Sequence, residues 1–211
     1  MPIAPTFHWA WIDSPLGVAG VIAQEGGCVR RVILPCATPE ESRGCMACAL
    51  RGLLSPAGAA GRPEEKPFDP ESIADLASTA RENGPWALTA KQQIAEYLEG
   101  RRRAFDVPFA LEGVAAFSRQ ALLAAAQIPY GQTRSYWWVA VRAGNPRAVR
   151  AVGQAMANNP VPLIVPCHRV VRSDGSLGGF GGGGPEQKRA LLQLEARVAA
   201  ARAGSKQLSF A

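Results

Sequence analysis

Apolar and polar positions change period along this chain. Phe7 to Ile12 alternates, while Val18 to Ala23 and Cys28 to Leu34 form short apolar runs. The turn formers Asp13-Ser14-Pro15-Leu16-Gly17 and Glu25-Gly26-Gly27 separate them, which predicts a three-stranded antiparallel meander. Pro, Gly, Ala and Glu then dominate to Pro85, with apolar patches too short for a firm helix, so residues 38–85 read as a loop-rich insertion. A helical period follows. Thr89 to Gln92 has capping-box spacing, Ile94, Tyr97 and Leu98 share a face, and Gly100 ends the helix. Phe105 to Phe109 reads as an extended connector. Phe117, Ala121, Ala124, Ala125 and Ile128 share a second helical face, stopped by Pro129-Tyr130-Gly131. Two short helices, Tyr136 to Ala143 and from Asn145-Pro146 to about Ala157, join through Gly144 in the manner of a helix-turn-helix. Pro185 starts a last helix containing Leu191, Leu192 and Leu194.

Two stretches depart from simple core patterning. The second helix of the short pair has an apolar side of Val149, Val152 and Met156 and a polar stripe of Arg147, Arg150 and Gln154. Its remaining positions, Ala148, Ala151 and Gly153, are nearly bare, which suits close approach of a partner or tight packing. The run Ile164-Val165-Pro166-Cys167-His168-Arg169-Val170-Val171 predicts a buried extended segment, yet a thiol, an imidazole and a guanidinium interrupt it. A cysteine attacks as thiolate, so a thiol of ordinary pKa, about 8.5, needs a base or a positive field. Of two histidines, His8 and His168, the second adjoins the thiol. Successive side chains in a strand diverge, so contact requires a turn or a bridging water. The same run also fits an inert buried cysteine. Gly178 to Gly184 forms a loop with little side-chain obstruction, and Glu195 sits among leucines. If buried, that carboxylate needs a partner and suits an orienting role toward His168; it fits an exposed face equally well.

Composition narrows the class. With 47% hydrophobic and 19% charged residues, the chain is that of a soluble globular protein. No apolar span approaches the roughly 20 residues of a membrane helix, and Met1 to Thr6 lacks signal-peptide character. A cytoplasmic location follows, with the five cysteines expected as free thiols. Cys45-Met46-Ala47-Cys48, with Cys28 and Cys36, is a weak zinc pattern because no second CxxC accompanies it. The net charge of +6 is uneven: from Ser118 onward 12 Lys/Arg face 3 Asp/Glu, whereas the preceding part has 11 against 14. This asymmetry points to an anionic partner for the C-terminal part, nucleic acid first.

Taken together, Arg150-Ala151-Val152-Gly153, Asn158-Asn159-Pro160, Pro166-Cys167-His168-Arg169-Val170, Gly178-Gly179-Phe180-Gly181-Gly182 and Lys188 through Glu195 resemble the O6-alkylguanine-DNA alkyltransferases. The resemblance runs from about Val114 to Arg197 and continues weakly into Asp13 to Gly17 and Gln93 to Gly100. It implies an N-terminal α/β domain with an RNase H-like antiparallel sheet over 1–110, and a mainly helical C-terminal domain over 111–211 with a helix-turn-helix. It also implies irreversible transfer of the alkyl group of O6-alkylguanine in double-stranded DNA to Cys167, by a monomer without cofactor or metal. Within it, His168 takes the thiol proton through a water, and Glu195 and Asn159 fix the imidazole and the local turn. Arg150 enters the base stack as the guanosine flips out, with Ala148, Ala151 and Gly153 facing the minor groove. Tyr136 stands by the flipped nucleotide, Met156, Pro162 and Phe180 line the alkyl pocket, and Val170, Gly181 and Gly182 border the purine. The backbone carbonyls of Cys167 and Val170 accept from the guanine amino group, and the Gly181 amide donates to O6. Trp137-Trp138, and Phe180 where many members carry Tyr, depart from the pattern. Two rival readings are a non-catalytic damage sensor or DNA-binding regulator, and a multiple-turnover cysteine hydrolase or thiol-redox enzyme.

Overall fold

The computed structural model describes residues 6–35, 38–54, 80–181 and 183–207. Strands β1 (Phe7–Ser14), β2 (Gly17–Gln24) and β3 (Cys28–Ile33) form the expected antiparallel meander. A fourth strand, β4 (Ala80–Glu82), pairs in parallel with β1, giving the order β3-β2-β1-β4. Alternation along β1 divides its two faces. Phe7, Trp9 and Trp11 pack with Ile22, Met46 and Leu50 on one side, and Ala10 and Ile12 join Ile94 and Tyr97 on the other.

The first of these faces is covered by α1 (Pro39–Leu54), a helix where the sequence reading expects loop. Its apolar patches are short because Met46, Ala47 and Leu50 supply its buried apolar stripe, and Ser42, also buried, donates to Val18 O at 3.0 Å. Thr38 Oγ1 accepts from Glu41 N at 3.1 Å as an N-terminal cap, and Glu40 and Glu41 suit the helix dipole. The opposite face carries α2 (Pro85–Leu98), which begins one turn before the expected capping box. Pro85 starts it, and Thr89 Oγ1 donates back to Pro85 O instead of capping. Residues 55–79 of the anticipated insertion, and Cys36, lie outside the described residues.

The second half contains α3 (Ala116–Ala126), β5 (Arg134–Ser135), α4 (Tyr136–Arg142), α5 (Val149–Ala157), β6 (Val170–Val171) and α6 (Gly184–Gln207). Ser135 caps α4 by accepting from Trp138 N. One apolar cluster runs unbroken from the β1–β2 face through α2 and α3 to Cys167 and Leu191. The edge of β3 is closed by the connector that follows α2 and by the second half: Val29 N donates to Pro108 O, Ala110 N to Val29 O, and Val32 N to Pro160 O.

Candidate active site around Cys167

Burial of the run from Ile164 matches expectation, but its extended form does not. Only Val170 and Val171 form a strand, parallel to β5, while Cys167–Arg169 is a single 3-10 turn. Pro160, Pro162 and Pro166 supply no ladder amides, and Leu163 takes a left-handed φ of 72°. Asn159 clamps the resulting bend, donating to Val165 O at 2.8 Å and accepting from Val161 N at 3.1 Å. The turn removes the strand geometry that separates successive side chains.

Cys167 is a free thiol, 3% exposed. Burial pushes its pKa above the ordinary value, against a hydrogen bond from Asn159 and the nearby Lys188 charge. The resting thiol therefore keeps its proton at neutral pH. His168 is fully buried, and burial lowers its pKa despite the adjacent Glu195 carboxylate, so the imidazole is neutral. Its Nε2 lies 2.8 Å from Glu195 Oε1, and its Nδ1 has no hydrogen-bond partner in the protein.

Glu195, on α6, is the hub. It accepts from the Tyr97 hydroxyl, from Arg169 Nη2 at 2.8 Å, from Arg169 Nε at 3.0 and 3.1 Å, and from Gly131 N at 2.8 Å. Arg169 also donates to Ile128 O at 2.7 Å, which ties the end of α3 to the cluster. Burial would raise the Glu195 pKa, but the hydrogen bonds from His168 and Arg169 and the Arg169 charge outweigh it and hold the pKa at about 2. The carboxylate is thus ionised and fully partnered.

A second charged group acts on the thiol. Lys188 is buried and donates to Val170 O at 2.6 Å, to Leu177 O, and to the Tyr136 hydroxyl at 3.4 Å. Burial lowers its pKa to about 8. Tyr136 also donates to Gly179 O at 3.3 Å, and Gly178, at a φ of +66°, leaves its hydroxyl room that a Cβ would occupy. Gly181 approaches α5 so closely that a Cβ would lie 1.9 Å from Ala157 O, so only glycine fits. The carbonyls expected to read a guanine amino group each carry one internal bond already, Val170 O from Lys188 and Cys167 O from Val170 N. Each keeps a second lone pair.

The anticipated residues therefore fall into separate groups. Cys167, His168, Glu195 and Asn159 converge, and Tyr136 faces them through Lys188. Met156, Pro162 and Val170 are buried nearby, and Phe180 packs half-buried on the same apolar cluster. Gly182 lies outside the described residues. Arg150 and Ala151 are exposed on α5, with Ala148 and Gly153 half-buried, and they join the site only through the opposite side of that helix, where Val152 and Met156 enter the core. Tyr97 was expected only as a core-facing residue of α2, yet its hydroxyl belongs to the cluster. The available signal was that a buried tyrosine hydroxyl seeks a partner. Among the described residues no three His, Cys, Asp or Glu side chains are grouped to hold a metal ion, and no helix is long and apolar enough to cross a membrane.

Known proteins share this arrangement of chain. A family profile described as 6-O-methylguanine DNA methyltransferase, DNA binding domain, matches residues 116–197. The inducible methylated-DNA–protein-cysteine methyltransferase of Bacillus subtilis is 40% identical over 159 residues, covering 72% of this chain and 84% of that protein. The constitutive protein of the same organism is 42% identical over 118 residues, 56% of this chain and 71% of its own. Among solved structures, the Mycobacterium tuberculosis OGT in complex with DNA superposes with a TM-score of 0.64 at 31% identity, over 90% of this chain and 94% of that one. Similarity of this extent, over both halves of the fold, establishes that the chain belongs to the methylated-DNA–protein-cysteine methyltransferase family.

Proposed function

We propose that this protein repairs DNA by moving the alkyl group of O6-alkylguanine onto Cys167 in one irreversible turnover. The observation that carries the reading is the pairing of a buried thiol with a neutral imidazole whose Nε2 is engaged by Glu195 and whose Nδ1 is left without a protein partner. Cys167 Sγ attacks the alkyl carbon in line with its bond to O6. The S–C bond forms as the C–O6 bond breaks, and the electron pair stays on guanine. The thiol proton passes through one water to His168 Nδ1, and Glu195 stabilises the imidazolium. Tyr136 hydrogen-bonds to the purine as negative charge grows, and the guanine ends neutral when the proton returns to it through solvent. A thioether offers no route back to thiol by hydrolysis, so each molecule acts once.

Helices α4 and α5 are read as a helix-turn-helix laid in the minor groove, which is only about 6 Å wide. The small residues Ala148, Ala151 and Gly153 suit that width. Arg150 fills the stack while the lesion is extruded, at an unstacking cost lowest for a mispaired base. Met156, Pro162 and Phe180 would line the alkyl pocket, with Val170 and Gly181 against the purine. In this reading residues 111–211 form the working domain, and an RNase H-like domain over 1–110 supports it. The protein acts as a monomer in the cytoplasm, a setting consistent with the free thiols Cys28, Cys48 and Cys167.

Incubation with a duplex containing O6-methylguanine tests the reading. Mass spectrometry is expected to find the Cys167 peptide heavier by one methyl-for-hydrogen exchange, with Cys167→Ala binding the duplex but remaining unmodified. An unmodified Cys167 peptide beside intact wild-type protein sinks the proposal and favours a damage sensor.

A further inference from the structure

Tyr97 lies 71 residues before His168, on a helix of the N-terminal half, yet its hydroxyl oxygen is 3.2 Å from His168 Nε2. The same hydroxyl donates to Glu195 Oε1, the atom that Nε2 itself approaches at 2.8 Å. The three atoms form a triangle in which few proton placements are allowed. Glu195 is ionised and only accepts. Tyr97 keeps its proton, because burial and then the Glu195 charge raise its pKa well above the ordinary value, and that proton is committed to Glu195. Toward His168 the phenol oxygen can only accept. Both neighbours of Nε2 are therefore acceptors, so a neutral imidazole must carry its hydrogen on Nε2 and its lone pair on Nδ1.

The phenol is held firmly enough to enforce this. Its ring meets Tyr130 edge-on at 5.8 Å, Phe105 at 5.2 Å and the His168 ring at 6.5 Å between centroids. Charged and titratable groups face His168 from every side: Glu195 and Lys188 of α6, Arg169 and Cys167 in the same turn, and Tyr97 of α2, with Tyr130 stacked on Arg169.

We propose that Tyr97 is a positioning residue for the base, holding His168 in the Nε2–H tautomer and making acceptance of the thiol proton depend on the docking of α2. The inference deepens the functional reading above and rests on it for the role of Nδ1. Removing the hydroxyl also withdraws one donor from Glu195. Its charge then holds a proton on the imidazole more strongly, which raises the His168 pKa and depletes the neutral base as pH falls.

The test uses the full chain and a duplex containing O6-methylguanine. Single-turnover rate constants are measured against pH for wild type, Tyr97→Phe and the packing control Ile94→Val. Tyr97→Phe is expected to slow transfer roughly 10–100-fold, to move the acid limb of the profile to higher pH, and to leave duplex affinity unchanged. Ile94→Val, buried on the same helix, lowers thermal stability and moves neither rate nor limb. A Tyr97→Phe profile that overlays wild type overturns the proposal. Nitrogen-15 NMR of the His168 ring in the unsubstituted protein decides the tautomer even where the variant fails to fold, and an Nδ1–H signature overturns it. Failure of the functional reading has a different sign: wild type transfers no methyl group, while the ring spectrum still reports the tautomer.

Discussion

The cluster around Glu195 and the outer face of α5 keep their charges under opposite conditions. At Glu195 a carboxylate that is 1% exposed meets Arg169, His168, Tyr97 and the Gly131 amide, and every lone pair it directs inward is used. On α5, Arg150 stands in solvent beside Ala151 and Gln154, with apolar packing confined to the far side at Val152, Ala155 and Met156. A buried charge must find its counter-charge within the chain, because solvation lost in a low-dielectric interior is recovered only by partners. A surface guanidinium stays hydrated and is available for a phosphate or a base stack. Proton-handling groups are thus assembled before any partner arrives, whereas the groups proposed for DNA are left unspent.

The largest expected effect that tests this contrast is on folding. Glu195→Gln leaves Arg169 buried without its counter-charge and is expected to destabilise the protein by about 3–5 kcal/mol in urea titration. A loss near zero would mean that the cluster is not a unit. The same carboxylate sets a pH dependence. Its pKa falls from an ordinary 4.5 to about 2 on folding, so its stabilisation is complete above about 4.5 and is lost as pH drops toward 2. That is worth about 3 kcal/mol in wild type, and urea midpoints in Glu195→Gln should lose that part of the acid sensitivity.

Arg150→Ala makes the reverse case. Stability is expected to stay unchanged, while methyl transfer from the duplex slows on the order of 10–100-fold, or about 1.4–2.8 kcal/mol, because in the proposed binding mode the extruded state loses the group that fills the stack. Equal loss of folding stability would place Arg150 with the structural charges. The smallest effect belongs to Gly153, whose Cβ position is open and whose place is inside a helix. Gly153→Ala is expected to gain about 0.5–1 kcal/mol of stability and to weaken duplex binding slightly in a fluorescence titration. Gain without weakening would remove the reason for a bare face.

Periodicity carried most of the local structure. The meander strands match their expected limits within two residues, and α3 and α4 fall where the apolar spacing put them, whereas α5 begins only at Val149, leaving Arg147 and Ala148 before its first turn. The misses have physical causes. α1 hides behind short apolar patches because a single sheet face needs only a narrow stripe of it, and α2 begins at Pro85 because Thr89 bonds back to a carbonyl. The run at Ile164 to Val171 was read by its β-branched residues, while three prolines and the Asn159 clamp, which acts across the bend, decide its path.

By itself the sequence determined which groups are chemically able to act: a cysteine followed by histidine, an arginine on a sparsely decorated helix, a glutamate among leucines. Residue type and spacing along one element suffice for that. Only the tertiary structure decided which of them share protons. The triangle of Tyr97, His168 and Glu195 joins positions 71 and 27 residues from the histidine. Burial keeps the thiol protonated and the imidazole neutral, and the Arg169 and His168 contacts keep the carboxylate ionised against burial. Both depend on which distant side chains exclude water from the same few ångströms, and no local pattern in the chain records that.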